Sequence, residues 1–413
     1  MRQLSRRSFL KLAVLSFPFT SFLLHHKTSA AEAPTFLRQI VGANNSTERT
    51  IAWNTLHDIA THLELRDERG TIHSYQPNVR LFTDDGESAY LHQVHLANLL
   101  PNTNYHYRLA GEVTTDWYTL RTLGADSAFR ALIFPDSQCS DGYVTWRDCR
   151  RVAQVRNPEA SLCIQMGDLV DNGEAAYQWR QWFAGAEGLI ENISFAPLLG
   201  NHETYNLHWK CRFPAAYLAY FPVPPNGSPR FAGQYYSFDQ GPCHFLMLNT
   251  QMEEMTQTHP DLLQAELAWL KADASASHQS WKIVCMHKDV IEYDNPDPHD
   301  PVTGDISSTG HAFMPLFDAL GIDVVLTAHW HTYRRLGHIK NFQRDPKGPL
   351  YIDTGNCGNC YYDVPNNPRF DEVMLPQPER GNYMTLEAQE RELTFRCYLP
   401  DGIEMDSVRL VKE

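Results

Sequence analysis

Short apolar runs alternate with helical segments from residue 124 to the end of the chain. Five runs of four to six residues are bounded by glycine, proline or polar residues, as is typical of buried strands. These runs are 129–134, 161–166, 195–199, 282–286 and 324–327. Helical spacing of apolar residues lies between them, over 174–190 and 262–272. Alternating strands and helices predict an α/β core.

The preceding residues, 35–123, show short alternating segments of the kind that builds a β-sandwich. Tyr105 and Tyr107 follow a turn at Pro101 and lie on one face of a predicted strand, and Trp53 is predicted to be buried. This pattern resembles the tyrosine-corner region of fibronectin type III sandwiches. No ionisable residues cluster here, so we interpret the segment as a packing or positioning domain, with glycan or wall binding as the alternative.

Residues 1–30 have the features of an export signal. Basic residues precede an apolar stretch over 12–24 that is too short to span a bilayer as a helix. The pair Arg6 and Arg7 resembles the twin-arginine signal. The resemblance implies export by the twin-arginine machinery, cleavage near Ala30 or Ala31, no stable membrane anchor afterwards and a periplasmic or secreted location. An ordinary secretory signal is the alternative.

The charge of the chain restricts its partners. Of the 413 residues, 43% are hydrophobic and 20% charged, which excludes a disordered or fibrous chain. The first thirty residues hold five basic and no acidic residues, so the remainder has a net charge of −19. So acidic a body is poorly suited to nucleic acid or anionic lipid, whereas a small anionic substrate can bind where a local site supplies positive charge. Nine dispersed cysteines argue against a disulfide-built scaffold.

Each of the five apolar runs leads directly into residues that can bind a metal ion. The motifs are Pro135-Asp136-Ser137-Gln138, Gly167-Asp168-Leu169-Val170-Asp171, Gly200-Asn201-His202-Glu203, the single His287, and Ala328-His329-Trp330-His331. Functional residues of α/β cores gather beyond the carboxyl ends of strands. Asp, Asn and His together suit Mn, Fe or Zn. Because a carboxylate can bridge two ions about 3.5–4 Å apart, the pattern is compatible with a dinuclear centre.

The motif set resembles the calcineurin-like metallophosphoesterase family, whose pattern is an Asp motif, GDxxD, GNHE, a lone His and GHxH in that order. The β-sandwich ahead of the motifs, the Val284-x-x-His287 spacing and a closing segment over 383–412 point to its purple-acid-phosphatase-like branch. The resemblance implies an α/β fold in which a β-sandwich core over 124–413 is flanked by helices (αββα). A small all-β, fibronectin type III-like domain over 35–123 would precede it.

The resemblance also implies a role for each motif residue. Asp168 would bridge two divalent or trivalent ions, Mn, Fe or Zn. The first site would be completed by Asp136 and His331, and the second by Asn201, His287 and His329. His202 would contact the phosphate or protonate the leaving oxygen, and Asp171 would orient His202. A water whose pKa the ions lower to about 7 would attack phosphorus in line.

The chain departs from the family pattern at several positions. Gln138 stands where most of the family has histidine, so we expect it to be a weak ligand or to hydrogen-bond a ligand. Asp171 replaces the tyrosine ligand of purple enzymes, and Asn172 replaces a phosphate-binding arginine of Ser/Thr phosphatases. We therefore expect a first site that favours a divalent ion and a colourless or pale protein, unless a tyrosine such as Tyr205 reaches in.

The leading interpretation is an exported, acid-phosphatase-like phosphomonoesterase that acts on a small phosphate ester. A phosphodiesterase or nucleotide hydrolase on the same centre is the alternative, and a non-catalytic wall- or glycan-binding protein is a third. Cys357 and Cys360 form a CxxC that predicts a local disulfide or two reduced thiols. We interpret His299 and His311 as solvated residues rather than phosphate contacts, and Trp330 as a packing residue.

Overall fold

A computed structural model of the chain describes residues 33–293, 305–362, 364–375 and 381–413. The described residues belong to one compact unit, and the predicted export signal over 1–30 lies outside them. Within them, none of the helices is both long and apolar enough to cross a membrane. The α-helices are α1 (Val144–Arg156), α2 (Ala176–Ala186), α3 (Ala215–Tyr220), α4 (Met252–Met255), α5 (Leu262–Ala276) and α6 (Ser308–Leu320).

The described residues also form strands that are arranged in three sheets. The strands are β1 (Thr35–Val41), β2 (Arg49–Thr55), β3 (Thr61–Arg66), β4 (Ile72–Tyr75), β5 (Asn78–Asp84), β6 (Glu87–Leu96), β7 (Asn104–Gly111), β8 (Tyr118–Arg121), β9 (Phe129–Phe134), β10 (Leu162–Gln165), β11 (Ser194–Pro197), β12 (Tyr236–Gln240), β13 (Cys243–Met247), β14 (Trp281–Cys285), β15 (Val324–Thr327), β16 (Arg334–Lys340), β17 (Gln343–Arg344), β18 (Leu350–Asp353), β19 (Val373–Met374), β20 (Tyr383–Gln389), β21 (Glu392–Tyr398) and β22 (Glu404–Val411).

The first sheet contains three neighbouring parallel strands, β9, β10 and β11, in the order β22-β21-β20-β9-β10-β11-β1-β2-β6-β5. Every residue of β10 and β11 is buried, which is why these strands are continuous apolar runs in the sequence. Strand β1 pairs in parallel with β11, with Ile40 opposite Phe195. Four strands from the predicted 35–123 domain therefore extend the sheet of the α/β part, a non-local pairing that alternation within the chain does not signal.

The second sheet faces the first and supplies the other half of the core. Its order is β12-β13-β14-β15-β18-β16-β17, with β13, β14, β15 and β18 parallel and β19 paired to β16. Ile283 of β14 packs in the same buried cluster as Ile133 of β9, whereas Val284 points the other way, into a cluster with Phe313 of α6. Helices α1 and α2 pack on the outer side of the first sheet through Trp146 and neighbouring residues. The predicted αββα core is confirmed.

The third sheet, in the order β4-β3-β7-β8, packs against the N-terminal strands of the first and forms a small β-sandwich. Trp53 is fully buried in it, and its indole N–H donates to the Thr61 hydroxyl at 3.2 Å. The Tyr105 hydroxyl accepts a hydrogen bond from the Leu100 backbone N–H at 2.9 Å, the contact expected of a tyrosine corner. The predicted fibronectin type III-like sandwich is confirmed.

Candidate metal centre

The six predicted ligands converge at the carboxyl ends of strands from both core sheets. Asp136, Asp168 and Asn201 follow β9, β10 and β11, which are adjacent and parallel, so their ends lie at one edge. His287 follows β14, and His329 and His331 follow β15, the neighbouring parallel strand of the facing sheet. The site therefore lies between the two sheets, in the position where α/β folds gather functional residues.

The ligand atoms form two clusters that share Asp168. In one cluster, atoms of Asp168, His287 and His329 lie within 4.8 Å of one another, and in the other, atoms of Asp136, Asp168 and His331 do so. Asn201 Oδ1 lies 3.0 Å from His287 Nε2 and so joins the cluster of the predicted second site. A carboxylate common to both clusters is the arrangement that a two-ion centre needs.

Backbone strain is concentrated at these ligands. Asp168, His329 and His331 have φ values of 46°, 76° and 57°, in the left-handed region that disfavours residues with a side chain. Gly200 allows the close approach of Asp168, since a Cβ at Gly200 would lie 2.2 Å from Asp168 Oδ1. Strain of this kind persists where the surrounding structure requires it, and it clusters at functional sites.

The charges of the site fit bound cations. Asp136 is fully buried, and its Oδ1 has no hydrogen-bond partner among the described residues, an arrangement that a cation would compensate. Burial, and then the neighbouring Asp168, raises the pKa of Asp136 to about 8. Burial also lowers the pKa of His329 to about 3 and that of His331 to about 4, so both imidazoles are neutral, as metal ligands must be. Buried carboxylates, neutral imidazoles and an amide oxygen fit Mn, Fe or Zn.

Two of the histidines have fixed orientations. His287 Nδ1 lies 2.9 Å from the Met166 carbonyl oxygen, and His331 Nδ1 lies 2.7 Å from the Cys360 carbonyl oxygen. Because a carbonyl only accepts, each Nδ1 carries the proton and each Nε2 faces the centre. Burial opposes charge on His287, but the Asp168 and Asp136 carboxylates raise its pKa to about 10, which adds a second proton at Nε2. A bound cation would displace this Nε2 proton and leave the one on Nδ1.

Gln138 lies among the ligands of the predicted first site. Its side chain is buried, with Nε2 3.1 Å from His331 Nε2 and 3.4 Å from Asp168 Oδ2, while its Oε1 has no hydrogen-bond partner among the described residues. Turning the amide by 180° would bring Oε1 to the ligand atoms. The position suits either predicted role, a weak ligand or a hydrogen-bond partner of a ligand.

His202 lies next to the shared carboxylate. Its Nε2 is 3.8 Å from Asp168 Oδ2, and its backbone N–H donates to Asp168 Oδ1 at 2.8 Å. His202 Nδ1 contacts the Asp171 carbonyl oxygen at 2.7 Å, whereas the Asp171 carboxylate is 3.7 Å away. The structure thus brings Asp171 to His202, with the main-chain oxygen rather than the carboxylate as the nearer partner.

Glu203 has a role that sequence reasoning did not assign. Its buried carboxylate accepts hydrogen bonds from four backbone N–H groups in the loops after β10 and β11. The donors are Leu169 at 2.8 Å and Val170 at 3.3 Å to Oε1, and Asp168 at 3.0 Å and Gly200 at 2.8 Å to Oε2. Its place as the last residue of the Gly200–Glu203 motif was the available signal. Glu203 holds the loop that carries Asp168.

The CxxC loop also supports the centre through its main chain. The N–H groups of Cys357 and Gly358 donate to the Asp136 carbonyl oxygen at 2.8 and 2.9 Å, and the Cys360 carbonyl is the partner of His331. Both cysteines are free thiols, Cys357 buried and Cys360 exposed. Of the two predicted states, the structure therefore has the reduced pair.

The remaining predicted positions lie around the centre or away from it. His299 lies outside the described residues. His311 is exposed on α6, with its ring 5.4 Å from that of Phe342. Trp330 packs edge-on against Tyr293 at 5.5 Å. The Tyr205 hydroxyl is 3.4 Å from the Asn201 side-chain nitrogen, which places this tyrosine beside the predicted second site.

Two facing sheets with helices outside and ligands at their shared edge define an αββα protein of the metallophosphoesterase class. The model of the calcineurin-like phosphoesterase family matches residues 113–333, more than half of the chain. The model of the purple acid phosphatase N-terminal domain matches residues 34–122. The chain therefore belongs to the calcineurin-like phosphoesterase family, and the predicted resemblance is confirmed.

Curated relatives and a solved structure agree with this assignment. Purple acid phosphatase 21 of Arabidopsis thaliana is 27% identical over 276 residues, covering 66% of this chain and 59% of the relative. Acid phosphatase type 7 of Homo sapiens is 27% identical over 308 residues, covering 67% of each chain. The purple acid phosphatase PPD1 from yellow lupin seeds has a TM-score of 0.74 at 17% identity, covering 92% of this chain and 75% of that chain, and it shares the fold. The chain thus spans about three fifths to two thirds of these two curated relatives.

Proposed function

We propose that the chain is a dinuclear metal-dependent phosphoester hydrolase that cleaves phosphomonoesters. The observation that carries the proposal is the pair of ligand clusters that share Asp168, with His202 beside them. One ion would be held by Asp136, Asp168 and His331, and the other by Asp168, Asn201, His287 and His329. When bound, Mn, Fe or Zn would polarise the phosphoryl group and supply a nucleophile at neutral pH.

His202 would assist departure of the leaving group. Its Nδ1 is fixed by the Asp171 carbonyl, so its Nε2 is directed toward the side of the centre where Asp168 lies. From there the ring can hold a proton at the leaving oxygen, a contribution worth about 10²–10⁴-fold in rate. The His202 side chain is 15% exposed, enough for substrate to reach it.

Monoesters are favoured over other phosphate esters by the names of the relatives, which are acid phosphatases. A phosphodiesterase or nucleotide hydrolase activity on the same centre stays the alternative. A non-catalytic role is disfavoured because every predicted bridging and second-site ligand is present together with His202.

We also propose that the protein is exported by the twin-arginine machinery to the periplasm or beyond, on the basis of Arg6 and Arg7. Replacing both by lysine should retain the full-length precursor in the cytoplasm. Fractionation that finds the double variant exported like the unaltered protein would refute this part of the proposal.

The activity is tested on protein stripped with a chelator and reloaded with Mn, Fe or Zn singly and in pairs. A panel of mono- and diesters should show monoester turnover that chelation abolishes and reloading restores. Asp168→Asn should lose metal and activity together, whereas Asp148→Asn, at an exposed position on α1, should lose neither. Metal-replete protein that turns over no ester would refute the proposed function.

A further inference from the structure

An exposed tryptophan, Trp209, lies beside His202, the proposed general acid. The indole ring of Trp209 lies 5.8 Å from the His202 imidazole, at 90° to it, and 6.0 Å from the Tyr205 ring. Trp209 is 56% exposed, and its φ of 57° is in the left-handed region. A bulky residue in that region is strained. Since the core does not bury this ring, the strain points to a function at the surface.

The loop that carries Trp209, residues 205–211, is built to hold it in place. An antiparallel bridge between Tyr205 and Cys211 closes the loop. Asn206 organises its tip, because its side-chain oxygen accepts from the N–H groups of His208 and Lys210 at 2.9 and 3.0 Å. Its carbonyl accepts from the Trp209 N–H at 2.9 Å. The tryptophan is therefore presented by a closed, hydrogen-bonded turn.

The same loop is tied to the metal-binding part of the chain. The Asn172 side chain donates to the Asn206 carbonyl, and the Leu207 N–H donates to the Glu174 carboxylate at 2.8 Å. Asn172 follows Asp171 directly, and Glu174 lies three residues after it. The loop contains Lys210 and no acidic residue, so it does not repel a phosphate ester, unlike most of this acidic protein. These bonds fix the backbone of Trp209 relative to the segment that carries Asp171.

We propose that Trp209 stacks on the aromatic ring of an aryl leaving group, which makes aryl phosphomonoesters the preferred substrates. This inference rests on the proposed function, in which His202 contacts the leaving oxygen. An aryl ring is bonded directly to that oxygen, so it would lie beside His202 and within reach of the exposed indole. A nucleobase is separated from the phosphate by a ribose and would extend further away. A second exposed ring, Tyr362, stacks on His331 at 4.3 Å, so two histidines of the centre carry an exposed aromatic neighbour.

The test compares leaving groups across variants of the metal-loaded enzyme. The substrates are phenyl phosphate and tyrosine phosphate, glycerol phosphate and serine phosphate, and a purine nucleoside 5′-monophosphate. Trp209→Ala should lower kcat/KM for the aryl esters about three- to tenfold, the range expected for one aromatic pair. It should leave the alkyl esters within about twofold, and Trp209→Phe should retain most of the preference. Leu207→Ala, which removes an exposed apolar side chain from the same loop, is the matched control.

A binding measurement separates stacking from catalysis. Calorimetry should show that the unaltered protein binds phenylphosphonate more tightly than methylphosphonate, and that Trp209→Ala removes most of the difference. An equal loss for aryl and alkyl esters, no loss at all, or a loss confined to the nucleotide would each overturn the assignment. These outcomes all require an active enzyme, so they differ from the absence of any turnover, which refutes the proposed function itself.

Discussion

Glu203→Gln is the substitution that most directly tests how the centre is held. In the native side chain each carboxylate oxygen accepts two backbone N–H groups. The glutamine keeps one oxygen, which can still accept from Leu169 and Val170. Its NH₂ group would then face the N–H groups of Asp168 and Gly200, and a donor cannot satisfy a donor.

The size of the effect follows from these contacts. An unsatisfied buried donor costs about 1–3 kcal/mol, so two of them should lower the free energy of unfolding by about 2–6 kcal/mol. That is a large part of the roughly 5–15 kcal/mol that stabilises a typical domain. Because Asp168 is one of the two affected residues, the loop that carries the carboxylate shared by the two clusters should shift. A misplacement of about 1 Å can lower a rate about 10²-fold.

The assay measures both the stability of the protein and the state of the candidate metal centre. Urea unfolding of chelated protein gives the difference in free energy of unfolding, and metal analysis with monoester kinetics on reloaded protein reports on the centre. Glu253→Gln, at a 77% exposed glutamate, is the matched control and should change neither. A Glu203→Gln protein within about 0.5 kcal/mol of the unaltered one, with unchanged metal content, would refute the reasoning.

Three further predictions concern proton transfer, colour and pH. His202→Ala should lower kcat about 10²–10⁴-fold while metal content is unchanged. Asp171→Asn keeps the main-chain carbonyl that contacts His202, so it should lower kcat much less. An equal loss of kcat in the two variants would show that the Asp171 carboxylate orients the ring. Iron-loaded protein should lack a tyrosinate-to-iron band in the visible spectrum, and a band that disappears in Tyr205→Phe would refute this. Burial opposes charge on His244, but its bonds to the Asp239 and Asp273 carboxylates at 2.7 and 2.8 Å raise its pKa from 6.5 to about 9. Charged His244 should therefore contribute about 3 kcal/mol to the free energy of unfolding below pH 6.5, and this contribution is lost as pH rises through 9. Urea unfolding of His244→Asn should show a larger loss of stability at pH 6 than at pH 10, and equal losses would contradict the prediction.

Sequence reasoning found the strands, and the residues that converge at their ends, because both rest on local patterns. The predicted runs 129–134 and 324–327 coincide with β9 and β15, and the others differ from their strands by one or two residues at an end. The predicted helix over 174–190 is shorter in the structure, Ala176–Ala186. Since buried parallel strands are continuous apolar runs, their ends, and the motifs that follow them, are visible in the sequence.

The supports of the centre were not predictable in the same way. Backbone N–H groups bound by Glu203 and carbonyls facing His287 and His331 are present in every residue, so no residue type marks them in advance. The left-handed backbone conformation of Trp209 could not be predicted from the sequence either, because it depends on the closed turn around Asn206 rather than on the tryptophan itself. The sequence thus indicates which side chains lie at the strand ends. It does not indicate the main-chain frame, that is, the backbone N–H and carbonyl groups that orient those side chains.

That frame explains why the centre joins the two halves of the core. Asp136, Asp168 and Asn201 come from the first sheet, whereas His287, His329 and His331 come from the second. The sheets already share direct contacts at this edge, since the His329 N–H donates to Asp136 Oδ2 at 3.0 Å and His287 Nε2 lies 3.1 Å from Asp168 Oδ2. Each ion would take ligands from both sheets, so binding would couple to their packing. Asp136 Oδ1 is buried without a hydrogen bond among the described residues, which costs free energy of folding. A bound cation would offset that cost, so the centre would stabilise the packing of the two sheets.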